Sequence, residues 1–158
     1  MKNFFLILLL FILISGNSNA DIFLDADKSV EIHQNEGKII AAGNAKIRKE
    51  DQSITADKIT SFYEKDKSGK ISVDKIIAEG NVLVVSSKAS VTADKGEYIP
   101  KEDIVKLYNN VTISQDGNII KGDYAETNLK TGVSKLVSNK SGGRVSGVFK
   151  EKQTSKED

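Results

Sequence analysis

The chain has 158 residues, of which 39% are hydrophobic but only 6% aromatic, so whatever it buries is chiefly Ile, Val, Leu and Ala. That is one domain's worth of chain, and with no Cys, no Trp and a single His it excludes a disulfide framework and any Cys-based metal site. A formal net charge of +1 supplies no field to hold nucleic acid, which is not expected among the partners.

The amino terminus reads as a leader. Lys2 gives a positive start, Phe4 to Ile14 is an unbroken run of 11 apolar residues, and Ser18-Asn19-Ala20 fits the small-x-small cleavage rule. The run is too short for a bilayer, which takes about 20 apolar residues. A secretory signal peptide over 1–20, cut after Ala20, is expected; the alternative is an uncleaved anchor, which Asn17 and Asn19 argue against by interrupting the run. A β-domain over 21–149 follows.

Ile22 and Leu24 alternate with Phe23 and Asp25, the chain bends at Ala26-Asp27-Lys28, and Val30 and Ile32 continue a strand. His33, without a second His or a Cys nearby, is read as a surface turn residue before Asn35-Glu36-Gly37. Ile39 to Tyr63 is a first full unit. Ala45 and Ile47 alternate with Asn44 and Lys46; after a polar linker, Ile54 and Ala56 alternate with Thr55. Period two means one buried and one wet face. A charged loop, Glu64 to Lys70, leads to the second unit, Ile71 to Ile99, with Val82 and Val84, then Val91 and Ala93, in the same places. Pro100 turns the chain into the third unit, Ile104 to Thr127, with Val111 and Ile113, then Ile120 and Gly122, around an Asp116-Gly117 hairpin turn. Asn128 to Val137 reads as a further hairpin and Arg144 to Phe149 as a last strand. The polar run over 150–158 is expected to be a disordered tail.

Two landmarks show that the units are one repeat. Asp57, Asp94 and Asp123 lie 37 and then 29 residues apart, and Gly43, Gly80 and Asn109 keep the same two spacings. Such a unit cannot bury its apolar face alone and stacks on its neighbours. With no helix expected after the leader, the fold class is all-β: a jelly roll, barrel or solenoid.

Only one constellation invites a catalytic reading: the ladder Asp57, Asp94 and Asp123, joined by Asp27. Paired carboxylates of this kind run glycosidases, so a secreted β-solenoid acting on polysaccharide is the alternative function. Each Asp, however, follows a small residue at the same place in its repeat (Ala56, Ala93, Gly122), which is how a structural corner behaves. No phosphate loop, nucleophile elbow or His-based triad is present in the sequence. No catalytic residue, metal site or cofactor is therefore assigned, and an enzyme is not expected.

The inward rows offer a different use. Ile22, Leu24, Ala45, Ile47, Ile54, Val82, Val84, Val91, Tyr98, Val111, Ile113 and Ile120 are the candidate lining of an apolar trough. An acyl chain of a dozen carbons resists exposure to water by about 10 kcal/mol, at about 0.8 kcal/mol per CH₂. A lipid crossing an aqueous space needs such a trough. The same residues also suit an ordinary filled sandwich, and periodicity does not separate the two.

Ala42-Gly43-Asn44-Ala45 followed by Ile54-Thr55-Ala56-Asp57-Lys58-Ile59 closely resembles the hallmark of the OstA-like family, a Gly-Asn-Val type turn and then an Ile-x-Ala-Asp-Lys type corner. Ile119 to Asp123 resembles a later copy of that corner, Gly143 to Phe149 the closing strand and Ile22 to Asp27 the opening one. Asn109-Asn110 departs from the usual Gly-Asn. The resemblance implies an open, slightly twisted antiparallel β-jelly roll built from repeated hairpins. It implies a periplasmic bridge protein of lipopolysaccharide export, with lipid A acyl chains in the apolar interior. It also implies end-to-end stacking, both with itself head to tail and with inner- and outer-membrane transport components of the same fold. A membrane-anchored OstA-like relative is the alternative within the family.

Overall fold

The computed structural model describes residues 23–87 and 89–150; the expected leader, Ile22 and residues 151–158 of the tail lie outside the described residues. The strands are β1 (Phe23–Asp25), β2 (Ser29–His33), β3 (Lys38–Lys49), β4 (Gln52–Lys65), β5 (Ile71–Val85), β6 (Ala89–Ile99), β7 (Ile104–Gln115), β8 (Asn118–Asn128), β9 (Val133–Val137) and β10 (Ser146–Val148). They form one antiparallel sheet in the order β1-β3-β4-β5-β6-β7-β8-β10, with β2 also on β3 and β9 also on β8. The sheet does not close on itself. This is the open β-jelly roll that the family resemblance implies, and not a closed barrel.

The Gly-Asn positions do not reverse the chain, as a turn would. Gly43 and Asn44 (φ 82° and 44°), Gly80 and Asn81 (78° and 48°), and Asn109 and Asn110 (59° and 51°) are consecutive left-handed pairs in the middle of β3, β5 and β7. Each pair stands opposite a single Asp: pairing jumps from Ala42↔Lys58 to Ala45↔Ala56, from Glu79↔Lys95 to Val82↔Ala93, and from Tyr108↔Tyr124 to Val111↔Gly122. Two residues against one is a β-bulge, which bends the strand. Asn tolerates the left-handed region far better than other side chains, so Asn109 keeps the bend where the repeat otherwise has Gly.

Because the bulges line up across the sheet, they fold it along one crease into two leaves. Leaf one holds β2, Lys38–Ala42, Lys58–Lys65, Ile71–Glu79, Lys95–Ile99, Ile104–Tyr108, Tyr124–Asn128 and β9. Leaf two holds β1, Ala45–Lys49, Gln52–Ala56, Val82–Val85, Ala89–Ala93, Val111–Gln115, Asn118–Gly122 and β10. At both ends of the sheet the edge strand is interrupted at the crease, leaving β1 with β2 at one end and β9 with β10 at the other. One buried cluster draws on both leaves, including Ala41, Ile76, Tyr98 and Leu107 from leaf one and Ala45, Val84 and Ile113 from leaf two. At the crease the leaves touch closely: a Cβ on Gly96 of leaf one would lie 3.8 Å from Cγ1 of Val82 on leaf two.

The hairpin turns follow their residues. Asp116 and Gly117 both take positive φ, 50° and 78°, the two-residue geometry that matches strand twist. His33 is half-exposed before a 3₁₀ turn (Gln34–Glu36), its ring nitrogens 3.2 Å from Glu31 and 3.4 Å from Glu36.

Candidate functional site: the inner face of the folded sheet

Register decides which side chains face inward. Val84 pairs with Ile54 and Val91, and Ile113 with Val91 and Ile120, so one aliphatic row crosses leaf two from strand to strand. Ala45, Ile54, Val82, Val84, Val91, Tyr98, Val111 and Ile113 are all buried. Ile47 packs partly buried against the same cluster, and Ile120 is half-buried near the carboxy-terminal edge. Leu24 pairs with Ile47 and faces inward, but it is 36% exposed because it sits on the edge strand β1.

The inner face of leaf one adds Ala41, Ile59, Ile76, Ala78, Val105, Leu107 and Ala125, which the candidate lining lacked apart from Tyr98. The cause is a change of phase. On β3, β5 and β7 the bulge holds two residues, and inward positions keep their parity (Val82 and Val84, Ala78 and Ile76). On β4, β6 and β8 the Asp and its successor both face outward, so the inward set moves from Ile54 and Ala56 to Ile59, from Val91 and Ala93 to Tyr98, and from Ile120 to Ala125. Two consecutive polar residues between alternating runs (Asp57-Lys58, Asp94-Lys95) carry that signal in the sequence.

The inner face stays apolar to the amino-terminal edge. On β2, Val30 pairs with Ala41 and Ile32 with Ile39, which places both on the inner side; they are 48% and 62% exposed. At the carboxy-terminal edge Leu136 pairs with Ala125 and packs partly buried on the cluster.

The aspartate ladder runs along the outside of the crease. Asp57 accepts a hydrogen bond from the Asn81 amide at 2.9 Å and Asp94 one from the Asn110 amide at 2.9 Å. Asp123 accepts from the Ser138 hydroxyl at 2.7 Å and the Asn139 N–H at 3.1 Å, with the Lys140 ammonium 3.5 Å away. Led by the Ser138 hydroxyl, these contacts hold the Asp123 carboxyl below its ordinary range. Each Asp thus pins the bend in the segment that follows. Gly80 fits only without a side chain, since a Cβ there would come 2.9 Å from the Asp57 Cβ. Among the described residues no group of three or more His, Asp or Glu side chains gathers to hold a metal ion. On the outer face of leaf one, Lys58 meets Glu79 at 3.0 Å, and Glu97, its side chain largely covered, meets Lys95 at 2.8 Å and Lys75 at 3.7 Å, a ladder of opposite charges.

A single antiparallel sheet creased over an aliphatic inner face, open at both edges and held by Asp–Asn pairs along the crease, defines an OstA-like jelly roll. The chain belongs to the LptA/(LptD N-terminal domain) LPS transport protein family, whose model matches residues 24–133. The fold is similar to that of LptH, described as the LptA homologous periplasmic component of the conserved lipopolysaccharide transport device from Pseudomonas aeruginosa. The superposition has a TM-score of 0.67 at 15% sequence identity and covers 83% of this chain and 96% of that one. No curated protein sequence matches the chain.

Proposed function

We propose that the protein is a periplasmic bridge component that carries lipopolysaccharide between the inner and outer membranes for outer-membrane assembly. On this reading the lipid A acyl chains enter at the exposed inward edge and part the leaves to reach Val84, Ile113 and the rest of the inner aliphatic rows, which are buried against one another. The observation that carries this reading is the continuity of the apolar inner face onto an exposed edge: Leu24, Val30 and Ile32 face inward and remain 36%, 48% and 62% exposed. A filled sandwich gains nothing from three aliphatic side chains turned toward water, whereas a trough needs an apolar mouth. Branched aliphatic residues at similar depth on every strand also offer similar sites, so a tail moves along them without a deep trap. Membership of a lipopolysaccharide-transport family supports the cargo, and likeness in fold to a periplasmic transport component supports the location.

Delivery across the periplasm then proceeds along stacked copies. The two open edges differ in sequence, so joining one to the other is heterologous and propagates end to end rather than closing into a dimer. Transport components of the same fold at either membrane would meet the same edges.

The test is site-specific photo-crosslinking with labelled lipopolysaccharide. A photo-reactive residue at Val84 or Ile113 is expected to capture the lipid, and one at outward Lys46 or Thr92 is not. Equal capture at inward and outward positions overturns the trough.

A further inference from the structure

The inner face of leaf two changes character at a fixed depth. From the crease outward, β7 presents Val111, then Ile113, then Gln115. Gln115 pairs with Ala89 on one side and Asn118 on the other, and on β3 and β4 the same level is held by the pair Lys49 and Gln52. Beyond two aliphatic levels, therefore, the lip of this leaf is largely polar. On leaf one the second inward level from the crease is a continuous row of Ile39, Ser61, Ile76, Tyr98, Val105 and Thr127, aliphatic or aromatic except for its two hydroxyl residues.

One member of the polar level is anomalous. Gln115 is only 8% exposed, yet its Oε1 has no hydrogen-bond partner among the described residues. A buried carbonyl left unpaired is costly, and nearly all such groups in folded proteins find a donor. Ala89 beside it offers no side-chain donor. Lys49 is three strands beyond Ala89 and four beyond Gln115, about 19 Å away at about 4.8 Å per strand, too far to serve the same group.

We infer that Gln115 is a hydrogen-bonding site for the polar–apolar junction of an amphiphile whose tails occupy the aliphatic rows. This rests on the trough reading above and adds an orientation to it. The ligand supplies the missing donor, a hydroxyl or amide N–H placed within the first few carbons of an acyl chain. Its tail runs past Ile113 and Val111 toward the crease, and its headgroup lies at the lip of leaf two. The site selects for a donor at that depth, which a plain hydrocarbon chain lacks.

The experiment titrates the purified protein with dodecanoic acid and with 3-hydroxydodecanoic acid, which differ by one donor, and reads displacement of a fluorescent apolar dye. The protein is expected to bind the hydroxy acid about five-fold more tightly, the worth of one neutral hydrogen bond. In Gln115→Leu and Gln115→Met, which lack the acceptor, that preference is expected to vanish while affinity for dodecanoic acid holds or rises. A preference that persists in both variants overturns the assignment, as does equal binding of the two acids to the unaltered protein; in those cases the trough itself stands. If neither acid displaces the dye, the trough reading fails and this inference with it.

Discussion

Asp57 on β4 reaches Asn81 on β5 with a 2.9 Å hydrogen bond, and Asn81 is itself one of the two left-handed residues that crease β5. The carboxylate fixes the bend of its neighbour. Asp94 repeats the arrangement with Asn110 on β7. A residue pattern that invites a catalytic reading is therefore accounted for by the crease, with each carboxylate holding the next corner.

The Asp94–Asn110 pair should be measurable in isolation. It joins exposed side chains, so removal of either partner to Ala is expected to cost about 1 kcal/mol, with a coupling of about 0.5 to 1 kcal/mol in the double-mutant cycle. Urea unfolding of Asp94→Ala, Asn110→Ala and the double variant checks this. Additive losses would show that the corner is held by backbone geometry alone.

Two glycines should respond to alanine with opposite sign. Gly80 has φ +78°, and a Cβ there would collide with Asp57 Oδ2 and come 2.9 Å from Asp57 Cβ. Gly80→Ala is expected to destabilise by about 2 to 3 kcal/mol, combining left-handed strain with loss of the Asp57 contact. Gly96 has no left-handed backbone, and its Cβ would make ordinary contacts, 3.5 Å to Leu107 and 3.8 Å to Val82. Gly96→Ala is expected to stabilise by about 0.5 kcal/mol by restricting the unfolded chain. Thermal melts of the two variants decide it.

Much of this was legible in the sequence for a physical reason. Inward rows on leaf two obey period two between a bulge and a hairpin turn, so Val82, Val84, Val111 and Ile113 declare themselves. The bulges themselves are less legible. Gly43-Asn44 carries the residues of a turn, and only pairing shows the chain running on through it, because a bulge and a turn both need left-handed backbone. Past Asp57 the phase slips by one, which is why Ile59 and Ala125 escape a pattern extended from Ile54 or Ile120. Exposure at Leu24 was equally hidden: alternation reveals a face but not whether a neighbour covers it.

Gln115 offers a stability test separate from ligand binding. Its Oε1 is buried without a hydrogen-bond partner among the described residues, at the end of the row Val111, Ile113. Replacing the amide with an apolar side chain of similar size removes a desolvated acceptor, so Gln115→Leu is expected to raise stability by about 1 kcal/mol. Chemical denaturation without lipid measures it. A loss of stability would mean that the amide makes a structural bond of its own.

Acid should loosen leaf one in a defined window. The Lys95 ammonium, followed by Lys75, holds the Glu97 carboxyl below its ordinary value near 4.5, and Asp123 is depressed by Ser138. A carboxyl depressed on folding contributes its stability above its unfolded pKa and loses it as pH falls through the folded one. The urea midpoint is therefore expected to drop between about pH 5 and pH 3. Glu97→Gln should cost about 1 kcal/mol at neutral pH and make that drop shallower, with the Asp123 part remaining. An unchanged acid slope in Glu97→Gln would assign the loss elsewhere.

Head-to-tail stacking has a signature that closed dimers lack. Val30 and Ile32 stand exposed at the amino-terminal edge, and Val133 and Val148 at the carboxy-terminal edge. Lysines on an edge strand oppose pairing with another chain. A variant carrying Val30→Lys and Ile32→Lys, and another carrying Val133→Lys and Val148→Lys, are each expected to remain monomeric in light scattering at concentrations where the unaltered protein grows. Each variant retains one intact edge, and under head-to-tail stacking those two edges are the complementary ones. Mixed together, they are expected to form a one-to-one dimer that grows no further. A self-complementary interface would give the reverse, with one variant still dimerising alone and no new species on mixing.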